Sequence, residues 1–71
     1  MKREIEVKLE AIEEIIAKQR ETCCKNLAET LRVLKRDHPE EFAEILQRVL
    51  KLLDIYNVNC ETYLKDLHGK A

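Results

Sequence analysis

Apolar residues recur at helical spacing in two runs, separated by the chain's one proline. In the first run they stand at Ile5, Leu9, Ile12, Ile16, Cys23, Leu27, Leu31 and Leu34. The steps are three or four residues, with Gln19 filling the one missing step, so the stripe stays on one face of a straight helix over about 2–36. Ile15 and Val33 widen that stripe on one side. Glu4–Lys8, Glu14–Lys18 and Glu21–Lys25 are i,i+4 pairs in the favourable order. Arg32, Lys35 and Arg36 complement the dipole at the helix end. The second run, Phe42, Ile45, Leu46, Val49, Leu50, Leu52, Leu53 and Tyr56, continues through Cys60, Tyr63, Leu64 and Leu67. It predicts a helix over about 39–68, with Gly69 as its C′ residue and Lys65 and Lys70 near its end.

Asp37-His38-Pro39-Glu40-Glu41 is the punctuation between the runs. Proline suits a first helical turn and disfavours helix in the residue before it. The turn is therefore placed at 37–38, with Asp37 or His38 as N-cap and Asp37–Glu40 at capping-box spacing. So short a connection makes the helices antiparallel neighbours. Residues whose numbers sum to about 75–76 then face each other. This register sets Gln19 against Tyr56–Asn57 and predicts a polar layer that includes Asn26 and Thr30. It also sets Cys60 against Ile16. The weak point is Ile55-Tyr56-Asn57-Val58-Asn59, where β-branched residues and asparagines lower helix propensity. A kink at 57–59, leading to a short third helix capped by Asn59, is the alternative.

The apolar arc of the second run spans roughly 160°, wider than the ~100° that one neighbour covers. A chain of 71 residues, read as a single domain over 1–71, buries a smaller share of its surface than a larger one and often needs a cross-link, a metal or a partner. The fold expected is therefore all-α: an antiparallel hairpin of two long helices, paired into a dimeric four-helix bundle. Leu46, Val49, Leu50, Leu53, Tyr56 and Leu64 would form the homodimer or partner interface. Ile55 and Val58, outside the main stripe, would extend it. Charge favours self-association. From Glu4 to Glu14 five glutamates oppose Lys8, a net −4; from Lys18 to Arg36 six basic residues oppose Glu21 and Glu29, a net +4. Two antiparallel copies would match opposite signs.

Composition narrows the function. Hydrophobic residues make up 45% and charged residues 38%, which is globular rather than disordered. A net charge of −1 exerts no global pull on nucleic acid or an anionic membrane. No apolar run approaches the ~20 residues needed to span a bilayer, and the N-terminus lacks a signal-peptide core. Three cysteines without framework spacing fit a reducing compartment, so a cytoplasmic location is expected. Cys23-Cys24 and Cys60 are read chiefly as small buried hydrophobes, with a redox or intersubunit disulfide as the lesser reading. Set against Ile16, Cys60 lies about 11 Å along the axis from Cys23, which excludes an easy intramolecular bridge. No metal or other cofactor is expected. His38 and His68 stand apart, no CxxC, HxxxH or ExxH motif occurs, and Glu13, Glu14, Glu21 and Glu61 point outward. There is no serine, and Thr22, Thr30 and Thr62 have no histidine at helical spacing, so no nucleophile–base pair is evident.

What remains is a non-enzymatic interaction or regulatory protein acting through a helical, protein-binding surface. The alternative is an RNA- or DNA-binding regulator using Lys18, Lys25, Arg32 and Arg36 on one outer line of the first helix, joined by Lys51. Interleaved Glu21 and Glu29 weaken that alternative. Salt separates the two readings. Nucleic-acid binding would fall steeply with added salt and be abolished by Lys25→Glu with Arg32→Glu. Binding through the apolar face is expected to survive that reversal and to fail on Leu50→Asp.

Overall fold

The first apolar run breaks at its one polar gap. The computed structural model describes residues 3–68, the side chains of Asp66 and His68 excepted. In it helix α1 spans Glu4–Gln19 and helix α2 spans Cys24–Asp37, joined by a 3₁₀ turn at Arg20–Cys23. Arg20 adopts φ 53° and ψ −130°, a conformation that costs a residue bearing a Cβ roughly 1–3 kcal/mol. Its N–H donates to the Ile16 carbonyl, and the Thr22 hydroxyl donates to the Gln19 carbonyl at 2.6 Å. Carbonyls that the helix end would leave bare are thereby satisfied. The single straight helix expected over 2–36 is corrected at this point. Gln19, polar where the stripe required an apolar residue, lies exposed at the reversal.

The second arm begins later than expected. His38 caps α2, residues 39–41 form the turn, and helix α3 spans Phe42–Ile55. The His38 N–H returns to the Leu34 carbonyl at 2.7 Å, and the Glu41 N–H to the His38 carbonyl at 3.1 Å. Asp37 stays in α2, so the Asp37–Glu40 capping box does not form, and α3 starts without a side-chain cap. The Lys35 ammonium sits 5.9 Å from the centre of the Phe42 ring across this turn. A helical hairpin thus stands, all-α as expected, with a bent first arm.

That bend decides the direction in which α1 runs. Arg3 donates to Glu44 at 2.9 Å, Arg48 to Glu6 at 3.1 Å, and the Tyr56 hydroxyl to Glu13 at 3.0 Å. The partners are 41, 42 and 43 residues apart. A nearly constant difference, rather than a constant sum, means that α1 and α3 are parallel. Helix α2 carries the chain back in the opposite sense, from Arg20 beside Asn57 to the turn whose Glu41 reaches Arg3. The register of numbers summing to 75–76 is therefore corrected for α1.

Helix α3 stops where propensity is weakest. Asn57 takes φ 58°, a left-handed conformation that asparagine tolerates better than most residues. The Val58 N–H donates to the Leu53 carbonyl at 2.8 Å and the Asn57 N–H to the Asp54 carbonyl at 3.1 Å. This is the Schellman pattern, and its usual apolar contact is supplied by buried Leu53 and Val58. The helix expected to continue to 68 ends here. The alternative is what occurs: Asn59 Oδ1 accepts from the Glu61 N–H at 3.0 Å at the start of a one-turn helix α4, Glu61–Leu64, followed by a 3₁₀ turn at Lys65–His68. The positions given to Gly69 and Lys70 lie outside the described residues.

Folding back at Asn57 brings Cys60 to Cys24, and the two form a disulfide with Cα atoms 5.1 Å apart. The expected pairing of Cys60 with Ile16, and with it the exclusion of an intramolecular bridge, assumed two unbroken helices; both are corrected by the breaks at Arg20 and Asn57. A cross-link between residues separated by 36 positions restricts the unfolded chain by about 3–4 kcal/mol. The core runs from Ile5 to Leu67 and takes residues from every helix. No polar or charged side chain is buried among the described residues. The predicted polar layer is thus absent: Gln19, Asn57, Asn26 and Thr30 are all exposed.

Two substitutions test this account through urea unfolding midpoints. Arg20→Gly should raise stability by about 1 kcal/mol, because glycine relieves the positive φ at a smaller entropic cost. Ile45→Ala, at a fully buried position, should lower it by about 2–5 kcal/mol.

Candidate protein-interaction surface

The residues expected to face a companion are largely used by the chain itself. Val49, Leu53 and Leu64 are buried, and Leu46, Leu50 and Tyr56 are half-buried against the same core. Val58 is buried too, because it closes the end of α3, whereas Ile55 is 63% exposed. The centre of that set is turned to the chain's own core, under the fold-back at Asn57 and α1, while Leu46, Leu50 and Tyr56 keep part of their surface exposed.

Apolar surface is left instead between α1 and α2. The two helices line a groove of about 220 Å³, from Lys8 to Ile15 on one side and from Asn26 to Leu34 on the other. Ile15 is 40% exposed and Val33 45%, while Ile12, Leu27 and Leu34 form the buried floor. Ala11 and Thr30 are small enough to keep the groove open. The cause is geometric. The bend at Arg20 turns the two helices back on each other, and α3 covers α1 on its Glu6–Glu13 side only. Ile15 on the opposite flank of α1 and Val33 on the facing side of α2 stay exposed.

The other flank of α1 is electrostatic. Glu6 accepts from both Arg48 and Arg3 at 3.1 Å, and Arg3 also meets Glu44. The hydrogen bond from Arg48, followed by that from Arg3, holds the Glu6 carboxyl below its ordinary value of 4.5. The hydrogen bond to Glu13 pushes the Tyr56 phenol above 10. Burial raises the thiol of Cys23, the one cysteine outside the disulfide, above 9. A buried, protonated thiol is a poor nucleophile and a poor metal ligand.

The basic line assigned to nucleic acid is divided by the bend. Lys25, Arg32 and Arg36 lie on α2, with Arg36 paired to Asp37 at 3.1 Å. Lys18 belongs to α1 and pairs with Glu14 at 3.3 Å. Lys51 lines the cleft between α1 and α3 beside Glu6, Glu10 and Glu13. Five cations expected on one surface are thus spread over three helices. Among the described residues no group of three or more His, Cys, Asp or Glu side chains is arranged to hold a metal, and no helix is long and apolar enough to cross a membrane. The disulfide removes the cysteine argument for a reducing compartment. No family model, curated protein or solved structure matches this chain.

The titrations give a pH signature. Glu6 contributes stability above its ordinary value of 4.5, and that contribution is lost as pH falls through its lowered folded value. Tyr56 contributes below pH 10, and this is lost as pH rises through its raised folded value. Urea midpoints of Glu6→Gln should therefore fall less steeply in acid than those of the parent, and those of Tyr56→Phe less steeply in alkali.

Proposed function

We propose that this chain is a non-enzymatic interaction protein that associates with a second copy of itself through the α1–α2 groove. The observation that carries this reading is the exposed pair Ile15 and Val33 flanking an apolar groove on a molecule whose other large side chains mostly reach its core. A rimmed apolar patch of this kind marks an interaction site more often than scattered aliphatics do.

Charge selects the occupant. Five glutamates against Lys8 and Lys18 give α1 a net −3; Lys25, Arg32, Lys35 and Arg36 against Glu29 and Asp37 give α2 a net +2. A two-fold axis through the groove sets the α1 of each copy against the α2 of the other, acid against base, with Ile15 and Val33 at the centre. Such an isologous contact uses one patch twice and closes on itself. A standard interface takes about 800 Å² from each partner. That is roughly one-sixth of the 5037 Å² that the chain exposes. We also propose a cytoplasmic location, where the Cys24–Cys60 bond would be a transient, cycling disulfide rather than a permanent cross-link.

Sedimentation equilibrium tests the reading. The parent is expected to dimerise at micromolar concentrations, more tightly at low salt. Ile15→Asp and Val33→Asp should each give a folded monomer, whereas Ile55→Asp, away from the groove, should leave the dimer intact. A parent that stays monomeric to the millimolar range overturns the proposal.

A further inference from the structure

The C-terminal segment is held by one covalent bond and little else. After Asn57 it consists of a single α-helical turn and a single 3₁₀ turn, each four residues long. Helices this short do not persist on local hydrogen bonds. Besides Cys60, the segment places Val58, Leu64 and Leu67 in the core. Its polar ties to the reversal are at the limit of hydrogen-bond length: Arg20 Nη2 to the Asn57 carbonyl, and the Asn59 N–H to Glu21 Oε2, both at 3.5 Å. The seat is also incomplete, since a cleft of about 260 Å³ separates Leu50 and Leu53 of α3 from Cys60 and Leu64. Three apolar side chains set against the ordering of some ten residues do not make a stable attachment.

The two cysteines stand where a latch between moving parts would be placed. Cys24 is the first residue of α2 after the Arg20 reversal, and Cys60 is the last residue before α4, after the Asn57 reversal. Cys23, the third thiol, is buried and kept protonated, so it does not attack the bond from within.

We propose that Cys24–Cys60 is a redox-active site whose co-substrate is a dithiol, and that its reduction releases residues 58–68 from α2 and from the Leu50–Leu53 side of α3. Cys24 and Cys60 are both buried, so the segment opens locally before a reductant reaches the sulfurs. One thiolate of the dithiol then attacks a sulfur of the bond, and the displaced cysteine thiolate takes up a proton. The second thiol of the reductant then attacks the mixed disulfide. The other cysteine leaves and is protonated, and the reductant departs as a disulfide. Two electrons and two protons pass from dithiol to protein. Release uncovers the Leu50 and Leu53 side of α3. The apolar phase of Tyr56, Cys60, Leu64 and Leu67 continues that of α3, so the freed segment can extend the same stripe. This inference does not depend on the groove dimer, which uses another face.

Hydrogen exchange read by mass spectrometry on the full chain tests the latch, with dithiothreitol as the reductant and oxidised dithiothreitol for the return. A non-reduced peptide map should contain the Cys24–Cys60 cross-link. On reduction, amides in 58–68 should exchange faster by on the order of tenfold or more, while those around Ile12 and Val49 keep their protection. Reoxidation should restore the first pattern. Cys60→Ser should reproduce the reduced pattern without any reductant. Unchanged exchange in 58–68 on reduction, a Cys60→Ser variant that exchanges like the oxidised parent, loss of protection along the whole chain, or absence of the cross-link would each overturn the proposal. Dimerisation through the groove is read separately, by sedimentation of the oxidised protein.

Discussion

Everything in this fold follows from the reversal at Arg20. An unbroken first helix has one direction and one apolar stripe, and it meets the second arm as an antiparallel partner. Once Arg20 takes its positive φ, the same residues become two helices running in opposite senses. Helix α1 then lies parallel to α3, with Glu6, Glu13 and Arg3 in line with Arg48, Tyr56 and Glu44. The strained residue is offset by what it permits, namely an interior that is entirely apolar among the described residues and enclosed by one chain.

The class of fold was legible because the 3.6-residue period is strong and the chain has almost no turn residues outside Asp37–Glu41. The break at Asn57 was legible as an alternative, since asparagine at the end of an apolar run is both a poor helix former and a good C′ residue. The break at Arg20 was written more faintly. Gln19, Arg20 and Glu21 form helices readily, and the signals were the modest propensity of Thr22-Cys23-Cys24 and Gln19 itself, the polar step in an otherwise apolar stripe. A missing step reads equally as a buried amide or as a place where the chain leaves the core, and only packing decides between them. A buried Gln19 hides the parallel pairing of α1 with α3, which needs the Arg20 break, and an unbroken second helix hides the meeting of Cys24 with Cys60, which needs the break at Asn57.

The candidate surface shows the same dependence. Ile15 and Val33 were visible as a widening of the first stripe, but their significance required knowing which flank α3 covers. The cations were visible too, and their apparent alignment came from counting along a straight helix. A reversal between Lys18 and Lys25 leaves each residue helical and exposed yet removes the line they shared.

The mismatch between the two arms is resolved without disappearing. The second arm carries more apolar surface than a single straight neighbour hides, and the chain answers by supplying two neighbours, α1 and α2, and a third piece folded back at Asn57. Bending the first arm to do this exposes a flank that a straight helix would have pressed against its partner. The surplus therefore moves from α3, where Val49 and Leu53 are now enclosed, to the groove between α1 and α2, where Ile15 and Val33 are not. A chain of this length relocates its unsatisfied surface more easily than it eliminates it, because each further segment that covers one face brings a face of its own.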